Sequence, residues 1–344
     1  MHHSISLAVD ENARYRYGMR RWVWSLGLSF CFMSISACSR LDLVNTELEP
    51  FIIDTSELIV GTSKSLYRHW TSTDDISITQ YAPLGFPHQS SAAYGDYAFF
   101  VTRGRSKIGL YNLKSQKMLF TLALKGVNGD TYHCNQSTFG FEKYDSTDAF
   151  PLLYISQRAK SNGRCFIEAY RLNPLFNEEL SDFESFSIEL VQTIYLPEMT
   201  YENSMGNANC VMDASSRTMF TYSRNNNINE DNYGQCKITQ FTIPDIYQET
   251  VILGDEDIVS AFMIDASAIN MQGGCIQDGV LYIGQGYWSA GYIYLNIIDL
   301  EKRELVRRFD LREYNVTWEP EGCFFYDGSV MLTHANAISR IEKI

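Results

Sequence analysis

The chain has 344 residues, 45% of them hydrophobic, 14% aromatic and only 8 of them proline, a composition that supplies a sizeable core and excludes a disordered chain. A formal net charge of −13 would repel phosphate backbones, so nucleic acid is excluded as a partner.

The first predicted element is an export signal. Arg20 and Arg21 precede residues 22–37, which carry no formal charge. That run is shorter than the ~18 or more apolar residues of a membrane helix and has the basic-then-apolar order of a signal peptide. It ends in Ile35-Ser-Ala-Cys38, small residues before a cysteine, which is the pattern of a bacterial lipobox. The expected division is a signal peptide over residues 1–37, with Met19 as an alternative start, then the lipidated (palmitate-bearing) Cys38, tether and lead-in over 38–74, then a folded body over 75–344. Loss of residues 1–38 removes Asp10, Glu11, Arg14, Arg16, Arg20 and Arg21, leaving a net charge of −15. The expected location is the bacterial cell envelope, anchored at the outer membrane, periplasmic or surface-exposed, with the lipid as the only membrane contact.

The body reads as a repeat. Five segments begin at a polar residue, pass through small residues into an apolar strand, turn at Gly or Asp and return as a second strand; they start at Gln89, His133, Asn207, Gln272 and Glu321. Gln272-Gly-Gly-Cys-Ile-Gln-Asp-Gly279 matches Glu321-Gly-Cys-Phe-Phe-Tyr-Asp-Gly328 in register. Second strands are expected over 99–103, 153–157, 220–224, 281–285 and 330–334, and third strands over 107–113, 165–172, 236–243, 292–300 and 337–344. A fourth strand closes four of the units, as over 117–124 and 304–311. Short β-rich runs between turn residues, with no amphipathic helix, predict an all-β five-bladed β-propeller. A six- or seven-bladed ring and a β-sandwich are the alternatives. The last unit has three strands, and its outer strand is expected from residues 75–82, which alternate in the strand manner and would remove an open edge.

Cys31 lies in the signal and Cys38 at the anchor, leaving Cys134, Cys165, Cys210, Cys236, Cys275 and Cys323 in the body. No C-x-x-C pair occurs, against zinc-ribbon and thioredoxin-like sites. The six read as scattered buried thiols, with any disulfide pairing open.

The segments His133-Cys-Asn-Gln-Ser-Thr-Phe-Gly-Phe-Glu-Lys-Tyr144, Phe150-Pro-Leu-Leu-Tyr154 and Glu319-Pro-Glu-Gly-Cys-Phe-Phe-Tyr-Asp-Gly328 resemble a group of bacterial lipoproteins with propeller bodies, of the broad quinoprotein-like and YVTN-like kind. The resemblance spans most of residues 85–344. It implies an exported, anchored propeller and no particular activity.

Blade geometry places the start of each first strand and the end of each second strand near one central opening. Two polar rings follow: Gln89, His133, Asn207, Gln272 and Glu321, and Arg103, Gln157, Arg224, Gln285 and His334. Together they suggest a hydrogen-bonding funnel for a glycan, a peptide or an envelope protein, although the polar ends of inner strands also suit a merely solvated channel. Tyr287 and Trp288 add aromatic surface on that side.

Catalytic patterns are sparse. The alternative function is a carbohydrate-active hydrolase or lyase working from Glu321, His133 and Arg103, yet Glu319 and Glu321 sit two apart on one segment and do not face each other across a bond. H-E-x-x-H, G-x-S-x-G and Walker patterns do not occur, and the histidines are dispersed, so no catalytic residue, metal or cofactor is expected. The polar loop 225–231 departs from EF-hand spacing and reads as an exposed loop.

Overall fold

The computed structural model describes residues 70–344 apart from 103–106, 127–132, 158–160, 162–163, 178–181, 198–208, 226–230, 232, 268–269, 288, 290 and 336. The lipobox with Cys38, as well as Arg103 and Asn207, lie outside the described residues.

Strand β1 (Ile76–Pro83) comes first in the chain, and the described strands form five sheets. Blade one is β2 (Ser90–Tyr94), β3 (Tyr97–Val101), β4 (Lys107–Asn112) and β5 (Lys117–Ala123). Blade two is β6 (Cys134–Phe139), β7 (Leu153–Gln157), β8 (Phe166–Asn177) and β9 (Asp182–Tyr195). Blade three is β10 (Asn209–Asp213), β11 (Thr218–Arg224), β12 (Gln235–Thr242) and β14 (Ile258–Ser267); the intervening β13 (Thr250–Ile252) instead pairs parallel with β9 of blade two. Blade four is β15 (Met271–Gln277), β16 (Val280–Tyr287), β17 (Tyr292–Asp299) and β18 (Glu304–Asp310). Blade five is β19 (Pro320–Tyr326), β20 (Ser329–His334) and β21 (Ala337–Lys343), with β1 as its outer strand. This is the five-bladed propeller expected from the repeats. The added β13 is a feature that the repeat frame does not contain.

Turn chemistry sets the register of the inner hairpins. Asp278-Gly279 and Asp327-Gly328 take positive φ at both residues, the backbone of the two-residue turn whose twist matches antiparallel strands.

Both faces of every sheet are buried, and the period of two along each strand divides its side chains between the two neighbouring blades. In blade one, Phe99 packs toward blade two with Leu153 and Ile155, whereas Phe100 packs toward blade five with Phe324 and Met331. In blade four, Leu281 and Ile283 meet Tyr222 and Ile238 of blade three, and Val280 and Tyr282 meet Val330 and Leu332 of blade five. Five separate hydrophobic cores therefore fill five interfaces between blades. This two-sided burial explains why strands such as Tyr97–Val101 read as unbroken apolar runs.

Closure joins distant parts of the chain. Strand β1 runs antiparallel to β21 from Ile76↔Lys343 to Pro83↔Ala337. Just before it, Trp70 is buried, donates its indole N–H to the Tyr282 hydroxyl at 2.8 Å and meets Phe309 edge-on. Trp70 thereby pins the lead-in of the closing strand to blade four. Replacing it with Ala should remove about 3–5 kcal/mol of stability, read as a lowered denaturation midpoint with an unchanged slope.

Candidate functional site

The five inner strands β2, β6, β10, β15 and β19 meet their neighbours around the ring. At the axis their backbones come too close for ordinary side chains. A Cβ on Gly273 would lie 2.5 Å from both the Glu321 carbonyl oxygen and Gly322 Cα, and one on Gly322 would lie 2.7 Å from the Ser91 nitrogen. Glycine is needed here for close approach rather than for its dihedral freedom.

Gln136 of β6 reaches across this level. Its Nε2 donates to the Gly274 carbonyl at 2.6 Å, and its Oε1 accepts the Gly274 N–H at 2.8 Å, so one amide side chain pairs both backbone groups of a residue on a non-adjacent blade. The Tyr222 hydroxyl joins this group, donating to the Gln272 carbonyl at 2.7 Å. Around it, Asn135 Nδ2 donates to Asn209 Oδ1 at 2.6 Å, and the Ser91 and Thr333 hydroxyls lie 3.1 Å apart. These side chains are buried, and their hydrogen bonds join β6 to both β10 and β15, and β2 to β20 of blade five.

Above the floor, the first polar ring pairs across blades. Gln89 Nε2 donates to Glu321 Oε2, which links blade one to blade five. Gln272 Nε2 donates to the Gly286 carbonyl at 3.1 Å and to Glu319 Oε2 at 3.3 Å, which joins the end of β16 to the approach to β19. His133 lies half-buried at the start of β6. Both glutamates that the sequence offers as acids thus accept hydrogen bonds from glutamine amides.

Gln157 and His334 of the second ring turn into their own blades, and Gln285 is shared between its own blade and blade three, its Nε2 donating to the Ser267 carbonyl at 2.8 Å. Gln157 donates to Glu168 Oε2 at 2.8 Å, Gln285 Oε1 accepts from Asn296 Nδ2 at 3.0 Å, and His334 Nε2 lies 2.8 Å from the Ser339 hydroxyl. Each partner sits on the third strand, opposite the residue two positions earlier on the second, so each contact joins diagonal neighbours on one sheet face. Gln157 and Gln285 are buried there and do not line an open cup. The Arg224 guanidinium lies 5.0 Å from the centre of the Tyr233 ring.

Tyr287, expected on this side, is 40% exposed, and Trp318, which lies outside the repeated segments, is 55% exposed. Tyr287 follows Gly286 and Trp318 precedes Glu319, so the Gln272 amide brings the segments bearing both aromatics to one side of the mouth. Gln136 stands within a polar run of blade two, where nothing in residue type distinguishes it from its neighbours. The Gly273-Gly274 pair was the available sign that another blade approaches at that level.

His88, next to Gln89, is buried with Nδ1 3.3 Å from the Phe86 carbonyl. Burial pushes its pKa down from the ordinary value to about 4, with nearby His334 acting in the same direction. Burial also lowers the pKa of His334. Among the described residues no group of three His, Cys, Asp or Glu side chains could hold a metal ion.

No family model matches the chain, and no curated protein sequence matches it. Solved structures that resemble it include the major allergen Mala s 1 of Malassezia sympodialis, at 8% identity and a TM-score of 0.45, covering 78% of this chain and 96% of that one. A glucose dehydrogenase aligns at 12% identity and a TM-score of 0.40, covering 78% and 98%. The β-propeller domain of Cps50 from Myceliophteria thermophila aligns at 10% identity and a TM-score of 0.38, covering 74% and 83%.

The depressed pKa of His88 fixes the sign of a pH effect. Between about pH 6.5 and about pH 4 the unfolded chain protonates this ring while the folded protein keeps it neutral, so the unfolded state binds more protons and stability falls as pH falls through that window. The loss attributable to His88 is on the order of 3 kcal/mol. Urea midpoints at pH 7 and pH 4.5 should show a smaller drop for His88→Phe than for the parent protein.

Proposed function

We propose that the protein is a lipid-anchored envelope propeller that binds a glycan, a peptide or an envelope partner on the mouth side of its ring. The observation that carries this reading is the form of the mouth: a hydrogen-bonded floor, paired amides and carboxylates above it, and two exposed aromatics on one rim. A floor bridged by Gln136 between non-adjacent blades suits recognition of a group inserted from one side. Exposed indole and phenol rings beside carboxylate and amide acceptors suit a sugar ring or a peptide, since both present an apolar face and several hydrogen-bond donors.

The Gln89–Glu321 and Gln272–Glu319 pairs favour binding over hydrolysis. Each carboxylate is oriented by an amide and is placed to accept from a ligand hydroxyl or N–H. The anchor rests on the lipobox at Cys38, and Ser39 behind it favours the outer membrane over inner-membrane retention.

Two measurements test this reading. On glycan and peptide arrays, Trp318→Ala and Glu321→Ala should each weaken the hits of the parent protein by tenfold or more, roughly 1.4 kcal/mol. Equal binding by all three proteins would overturn the site. Cys38→Ala should move the protein from the detergent-soluble membrane fraction to the aqueous fraction and abolish palmitate labelling; continued membrane association would overturn the anchor.

A further inference from the structure

Two of the six body cysteines meet across a blade interface. Cys275 lies on β15, the inner strand of blade four, and Cys323 on β19, the inner strand of blade five. Their Sγ atoms are 2.8 Å apart. That is well inside the roughly 3.5–4.0 Å at which even nonbonded carbon atoms rest, so little movement separates the pair from a bond. Both belong to the core between these blades, packed with Val280, Tyr282, Val330 and Leu332. Cys323 Sγ also lies 3.6 Å from the Tyr282 carbonyl, which holds it on the side facing Cys275.

We propose that Cys275 and Cys323 form a disulfide that staples blade four to blade five. The reaction is thiol–disulfide exchange with a disulfide-bearing oxidant, either a small molecule or a dithiol oxidase. The Cys275 thiolate attacks one sulfur of the oxidant, forming a mixed disulfide and expelling one thiolate. The Cys323 thiolate then attacks Cys275 Sγ and expels the second. The protein loses two electrons and two protons, and the oxidant leaves as two thiols.

Burial sets when these steps can occur. Cys275 is 9% exposed and Cys323 only 1%, so in the closed ring neither is open to an external reagent. Burial also pushes the Cys275 thiol well above its ordinary pKa, so the folded ring supplies little thiolate. Exchange therefore proceeds as the ring closes or when the interface of blades four and five opens. The bond would span 48 positions of sequence and would hold blade five to blade four independently of the β1–β21 ladder.

The test uses the full chain. Purified protein is equilibrated in oxidised or in reduced glutathione, quenched in acid, unfolded with an alkylating reagent and mapped by mass spectrometry. The oxidised sample should yield the Cys275 and Cys323 peptides joined and two hydrogens lighter than the free pair. Its Tm should exceed that of the reduced sample by roughly 5–10 °C. In Cys275→Ser and in Cys323→Ser that oxidised-minus-reduced difference should vanish; because each variant is compared with itself, the stability of the variant cancels. If either variant fails to fold, the peptide map of the parent protein decides. Complete alkylation of both cysteines after oxidation, or their linkage to other cysteines, would overturn the proposal.

Discussion

The ring stands on one backbone ladder, the pairing of β1 with β21. Each sheet buries both faces, so a blade without two neighbours would leave a hydrophobic face in water, and only a closed circle avoids this. The ladder completes blade five and thereby the two cores on either side of it. Ile76 and Ile341 enter the core with blade four, while Ala82 and Ile338 enter the core with blade one. Trp70 extends the same device by reaching back to Tyr282. Alternation along a short strand therefore feeds two interfaces at once.

Closure also determines what the mouth can offer. Five inner strands drawn to a common axis leave room for glycine backbones and one amide, and Gln136 satisfies the backbone of Gly274 there. An unpaired backbone group at that depth would be costly, so the amide does structural work that a small apolar residue could not. Just above the floor, the Glu321 and Glu319 carboxylates accept hydrogen bonds from Gln89 and Gln272, which reach them from other strands.

Much of the architecture was legible because it repeats. The matched segments at Gln272 and Glu321, the Asp-Gly turns and the alternating run before Gln89 gave strand positions and the closing strand. The strand β13 was hidden because Thr250-Val-Ile252 is too short to show a period, and its parallel pairing with β9 depends on tertiary approach. The mouth was legible only in part. Sequence position gave the level of Gln157, Gln285 and His334 along the axis, but the flank to which each side chain turns depends on the partner two rows away: Glu168, Asn296 or Ser339. Trp318 lies outside the repeated segments, so no register drew attention to it.

The closing ladder has a consequence for biosynthesis. A chain emerging from the ribosome presents β1 before any blade and β21 after all the others. Blade five is thus built from the earliest and the latest strands of the ring, and β1 must stay unpaired while more than two hundred residues follow it. During that interval its edge and the apolar flank of blade one are open to partners other than β21. Contacts of such sequence separation form slowly, so the final step of maturation is a docking event between distant ends rather than the completion of a local hairpin.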